Sequence, residues 1–342
     1  MARRAPGVVE EGAPDQPLLV RGSHQNRGEV VPRGFLSALA DESYPEPALV
    51  RLRLAEAITD PGNPLTGRVA VNRLWRHLFG YGLVTTVDNF GRLGDRPSHP
   101  RLLDHLAGAF VEDGYSLKRL VRRLVLTQTY QMSSQASQRS LEIDPSNRYL
   151  QHANVRRLDA EAIRDSMLLV SGRFNSTMYG PSVPVYYAPR YGLTRANPDV
   201  GPVDGDGRRS IYQEIRRNAH NPFLEVFDSP KPATTRGQRD ATNVPAQSLT
   251  LLNSPFVVGQ AAEWGSRLSE GEAGTVRGRV DHMFLKALAR QPTEIERARI
   301  TDYLMNVASQ RKTSEHLLLY DRQVWQDVAH SLFNLKEYIF IQ

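Results

Sequence analysis

The chain has 342 residues, 40% of them hydrophobic, with no cysteine and a formal net charge of +6. That length can bury a sizeable core and on size alone leaves room for roughly two domains. The missing cysteines exclude disulfides, thiolate metal sites, cysteine nucleophiles and haem attachment within the chain, and no apolar run is long enough to span a membrane. Only five of the 43 basic residues are lysines. Arginine favours planar, bidentate pairing with carboxylates or phosphates, whereas net charge itself bears on solubility and non-specific binding and not on fold. The opening MARRAPGVVEEGAPDQP starts with a pair of arginines but lacks the apolar centre of a signal peptide.

Residues 1–46 are rich in proline and glycine and read as an extended arm or linker remnant, with a short strand expected in RGSHQNRGEVVPRG. From Pro47 the pattern turns helical through ALVRLRLAEAIT, and 47–342 reads as a single helical domain. Asn63 and Pro64 open the next helix, since Asn caps free amides and Pro tolerates the first turn. Val71, Leu74, Trp75 and Leu78 share its apolar face, Arg68 and Asn72 border that face, and Arg73, Arg76 and His77 lie away from it. Gly80 and Gly82 end the helix. VTTV is a short β-prone run, DNFGRLGDRPSH a glycine-bearing loop, and Ser98 is the expected cap of a helix presenting Leu102, Leu103, Leu106 and Phe110. Ser116 caps another, with Leu117, Leu120, Val121, Leu124 and Gln128 on one face and a basic opposite face.

The polar segment SSQASQRSLEIDPSN then separates this half from the helix in RRLDAEAIRDSMLLVSG. There Glu161 and Asp165, four apart, share a face with Leu158, Leu168 and Leu169, while Ile163, Met167 and Val170 line the other side, a pattern that predicts an internal helix. Residues 174–246 form a loop-rich insertion carrying Tyr186, Tyr187 and Tyr191, with one ordered crossing at NPFLEVFDSP. Helical patterning resumes at QSLTLLNSPFV and continues through VRGRVDHMFLKALA, a Thr293 and Glu296 capping box, and a long segment from Ser314. The expected fold is mainly α: an irregular multi-helix body with a long loop-rich insertion and a few short strands.

The run NRLWRHLFGYGLVTTVDNFG followed by PSHPRLLDHLA resembles the hallmark of the planctomycete-type domain of unknown function number fifteen-fifty-three. RRLDAEAIRDSMLLVSG, RRSIY, QSLTLLNSPFV and LFNLKEYIFI agree with it, and His105 departs from it where relatives carry an aromatic residue. The resemblance brings no established activity. It implies a domain of large secreted proteins that often carry a c-type cytochrome module, hence an extracytoplasmic place at the periplasm or cell surface, no cofactor within this chain, haem c on an associated module, and an upstream domain or cytochrome module as partner.

The chemical inventory is sparse, with no phosphate-binding loop, dinucleotide fingerprint, HExxH or GxSxG. Candidate catalytic residues are Glu161 and Asp165, which burial would turn into an acid/base pair or, with Arg156, Arg157 and Arg164 adjoining, into a structural ion-pair network. His77 and His99, with Asp88 and Asp95, are the alternative around the GRLGD loop, although their spacing matches no known ligand set and no metal is expected. Candidate binding residues are Arg68, Asn72, Trp75, Asn89, Arg92, Arg164, Tyr186 and Tyr187. Two functions follow: a non-catalytic binding or scaffold module, with a glycan or peptide as ligand, or an unrecognised hydrolase or carbohydrate-active enzyme. Nucleic-acid binding ranks third, on basic charge alone.

Overall fold

The computed structural model describes residues 15–39, 44, 50–186, 200–216, 220–232, 235–271 and 274–341. Its architecture is mainly α, with thirteen helices and four short strands among the described residues. The chain divides into two compact units, Met1–Met132 and Ser133–Gln342, and the boundary falls at the head of the polar SSQASQ segment.

The first unit begins with an exposed antiparallel hairpin of β1 (Gln16–Leu19) and β2 (Arg27–Val31). Helix α1 (Val50–Thr59) buries no side chain and is tied down by polar contacts: Tyr115 Oη donates to the Thr59 carbonyl and Asn63 Nδ2 to that of Ala57. Asn63 also caps α2 (Pro64–Phe79), accepting from Leu65 N–H at 3.0 Å, and Gly80 ends it at φ +94°. Val71, Trp75 and Phe79 of α2, Leu103, Leu106 and Phe110 of α3 (Pro100–Glu112) and Leu120 and Leu124 of α4 (Leu117–Val125) are buried, and α2 lies against α3.

Three local expectations fail here. VTTV forms no strand but folds as turns, because the polar atoms of Val84 are taken by the Asn72 side chain and not by a second strand. Ser98 is not the cap of α3; His99 holds that position without a side-chain cap bond, since the Ser98 N–H is directed to the Leu83 carbonyl. Ser116 does cap α4, but Leu117 and Gln128 are exposed, as α4 stops at Val125 and the face does not extend.

In the second unit the polar separator contains a short helix, α5 (Gln138–Ile143), which its composition does not advertise. Strand β3 (Arg156–Arg157) leads into α6 (Ala160–Ser171), whose Ile163, Met167, Leu168 and Val170 are buried, while Leu169 points to solvent, so the helix is internal on one side only. Helix α7 (Pro222–Val226) carries the buried Phe223 and is followed by the buried Phe227. Pro255 separates α8 (Pro245–Asn253) from α9 (Pro255–Glu270). Helix α10 (Val276–Leu288) precedes α11 (Glu294–Arg311), which has both bonds of the Thr293 and Glu296 capping box.

The long segment from Ser314 is two helices, α12 (Glu315–Leu318) and α13 (Arg322–Phe333). Asp321 causes the break by accepting from Gln323 and Val324 N–H as a new N-cap. The most extensive helix pair is α9 with α13, where Trp264 meets Phe333 at 5.6 Å and Gly265 lies directly against the α13 backbone. Strand β4 (Phe340–Ile341) pairs antiparallel with β3. Among the described residues no helix is long and apolar enough to cross a membrane.

Candidate functional site

The second unit holds a cleft of about 460 Å³ against the start of α6. One side is α6 itself, with Glu161, and the 3₁₀ turn Ser210–Tyr212 that lies on it. That turn is anchored from beneath by Arg164, which is only 1% exposed. A buried guanidinium must satisfy its donors, and Nη1 donates to the carbonyl of Arg208, to Ser210 Oγ and to Asp165 Oδ1, while Nη2 donates to the carbonyl of Asp204 at 2.6 Å. With its amide oxygen turned inward, Gln213 accepts from Nε at 3.2 Å. Burial pulls the Arg164 pKa below that of an ordinary arginine, against the opposing pull of Asp165 and Asp204.

Asp165 completes the anchor, accepting from Ser210 Oγ at 2.7 Å and Ser210 N–H at 2.8 Å. Glu161 is turned to a different partner and takes an ion pair from Arg239 at 2.5 Å. Burial would lower the Arg239 pKa, but the bond and charge of Glu161 outweigh it and the net shift is upward. The two carboxylates that share a helix face in the sequence therefore serve separate cations in the fold.

The rest of the wall comes from α7 and the following stretch. Asn221 caps α7 through Phe223 N–H, which sets Leu224 and Glu225 at the cleft; Pro230, Lys231 and Pro232 face it, as do Glu214 and Arg216, themselves paired at 2.8 Å. Lys231 enters no ion pair among the described residues. Charges of both signs surround a pocket whose size suits a small ligand or a short chain segment. Sequence reasoning missed Ser210, Lys231 and Arg239; the only signals were the RRSIY run and the ordered NPFLEVFDSP stretch.

The first unit places its candidates differently. Asn72 is fully buried and holds Val84, and Trp75 is buried and stacked on Phe79 at 4.1 Å. Arg68 leaves the apolar seam for a half-exposed pair with Asp104. Asn89 folds the loop on itself, and Arg92 stands exposed at its tip. His77 lies on the exposed side of α2, His99 Nδ1 meets Ser98 Oγ at 2.9 Å, Asp95 is bonded by Thr85, and Asp88 stands 4.0 Å from Arg73. Among the described residues no three of His, Asp and Glu gather where they could hold a metal ion. Tyr186 is half-buried next to the cleft-lining Val185, and Tyr187 and Tyr191 lie outside the described residues.

A family model described as Protein of unknown function (DUF1553) matches residues 50–304, three quarters of the chain. The chain belongs to this family. The matched span contains the Asn72 loop, α6 and every residue that lines the cleft. No curated protein and no solved structure matches the chain.

Proposed function

We propose that the chain is a non-catalytic binding or scaffold module of a secreted, cytochrome-linked cell-surface protein, and that the cleft beside Glu161 and Lys231 seats a segment of glycan or peptide. The observation that supports it is the commitment of both candidate carboxylates: Asp165 holds the Ser210 turn against Arg164, and Glu161 holds Arg239. A general acid or nucleophile needs a carboxylate free to meet substrate. These two are engaged in building the wall. The extracytoplasmic setting, an upstream or cytochrome partner and haem c on an associated module rest on the company that DUF1553 domains keep.

A second reading, hydrolysis of a glycoside or related bond, draws on Glu161, Glu214 and Glu225 sharing the one cleft. Glycan and peptide arrays probed with the full chain and its Lys231→Ala variant test the first reading; we expect retained ligands to lose at least about fivefold in affinity with Lys231→Ala. Turnover of any glycoside or ester in a hydrolase screen, abolished by Glu161→Gln in a protein with unchanged melting, would replace the binding reading with the enzymatic one.

A further inference from the structure

The arginines that line the cleft beside α6 are each held by a carboxylate: Arg239 by Glu161 at 2.5 Å, Arg216 by Glu214 at 2.8 Å and Arg236 by Asp240 at 2.5 Å. Of the other charges in the lining, Lys231 and Glu225 enter no ion pair among the described residues. A guanidinium only donates hydrogen bonds and a carboxylate only accepts them. Where the two stand paired at a wall, the group that answers both at once is a hydroxyl, which donates and accepts, and a sugar ring carries several hydroxyls in fixed positions. Ser210, Ser229 and Asn221 add neutral polar groups to the same lining.

The apolar part of the lining is aliphatic, as at Val185, Leu224 and Pro230, and no Phe, Tyr or Trp is among the described lining residues. The aromatic wall on which an uncharged ligand is usually gripped is therefore missing, and charge-assisted bonds carry more of the recognition. A peptide would be held through its backbone, as a strand added to an extended edge. The extended run at this wall has spent its amides: Gln213 N–H donates to the Ser210 carbonyl and Glu214 N–H to that of Val183. A run of acidic side chains would also face Glu161, Glu214 and Glu225, an unfavourable meeting of like charges. A glycan avoids this by bringing its charge at one place and hydroxyls at the others.

We propose that the ligand of the cleft is an acidic glycan: a uronate residue gives its carboxylate to Lys231, and its ring and neighbouring sugars set hydroxyls on the Arg216–Glu214 and Arg239–Glu161 pairs. Lys231 supplies a point charge with three donors, which a carboxylate matches. The inference rests on the binding reading of this cleft and adds the class of ligand to it.

The test titrates the full chain calorimetrically with tetrasaccharides in which glucuronate or galacturonate alternates with a neutral sugar, each as the free acid and as its methyl ester, which keeps every hydroxyl and removes the charge. At least one free acid should bind at least about tenfold more tightly than its ester, and the advantage should shrink at high salt. Lys231→Met keeps the apolar stem without the charge and should bind acid and ester alike, while Lys231→Arg should restore the preference. Lys231 is exposed and outside every ion pair among the described residues, so these variants keep the fold. Equal binding of acid and ester by the parent, a preference that survives Lys231→Met, or binding of none of the acids would overturn the proposal. Peptides or neutral glycans that bind the parent and weaken with Lys231→Ala would overturn it too, yet leave the cleft a binding site; a chain that binds none of these ligands loses both readings.

Discussion

Asn72 clasps Val84 by both of its backbone polar atoms, Oδ1 accepting from the N–H at 2.8 Å and Nδ2 donating to the carbonyl at 3.0 Å. The pairing is wholly buried and does what a strand partner would otherwise do. It also explains Gly82, where a Cβ would press on the Val84 carbonyl and the Asn72 amide. Asn72→Ala leaves a buried donor and acceptor unmet and should cost about 2–4 kcal/mol in denaturant unfolding. Arg68→Ala should stay within about 1 kcal/mol, because its pair with Asp104 is half exposed. Equal losses for the two variants would contradict the placement.

Asp165 and Glu161 should part company in the same measurement. Asp165→Asn removes the charge that faces a guanidinium only 1% exposed, and we expect it to be less stable by about 1–3 kcal/mol. Glu161 and Arg239 are each about one-third exposed, so Glu161→Gln should lose less than about 1 kcal/mol. A gain in stability for Asp165→Asn would identify a strained group and reopen the acid/base reading of this helix.

The acid limb of stability should carry the mark of Glu296. Its bonds from Arg290, whose two Nη groups reach both carboxylate oxygens, hold its pKa down to about 2 against the opposing effect of burial. A depressed carboxylate stabilises the fold above its unfolded pKa, and that contribution is lost as pH falls from about 4.5 toward about 2. Melting temperatures recorded across that window should fall more steeply for the parent than for Glu296→Gln; parallel curves would show that the group does not act this way.

Gly265→Ala should weaken the second unit although alanine is the better helix former. A Cβ there would lie 2.6 Å from Gln326 N and 2.9 Å from the Arg322 carbonyl oxygen, both rigid backbone atoms of α13. Forcing α9 and α13 apart costs about 1–3 kcal/mol, which exceeds the gain of up to about 1 kcal/mol from helix propensity. Thermal unfolding decides the sign.

What the sequence makes legible is what is local. The Asn63 cap with Pro64, the Ser116 cap, the Thr293 and Glu296 box and the apolar faces of α2 and α3 are all set by neighbours within a turn, and all are present. The failures are non-local. VTTV has the β-branched content of a strand, but the partner that arrives is the Asn72 side chain, which no periodicity announces. At the candidate site the interest of Glu161, Asp165 and Arg164 is readable from one helix, whereas Ser210 and Arg239 come from irregular chain far along the sequence. Loops carry no period, so their register against a helix emerges only in three dimensions.

The two-residue ladder between β3 and β4 imposes an order on synthesis. Arg157 pairs with Phe340, and Leu158 N–H donates to the Ile339 carbonyl at 2.8 Å, so a ribosome must add almost the whole second unit between making the two sides. At ordinary elongation rates that takes on the order of ten seconds or more. For about the first half of that interval the nascent α6 lacks α9, and for most of it α13, the helices that share its core cluster with Ile163 and Met167, while every core residue of the first unit has already been made. The half of the molecule that holds the cleft is thus the half that waits, and its exposed core is where a chaperone would be most needed.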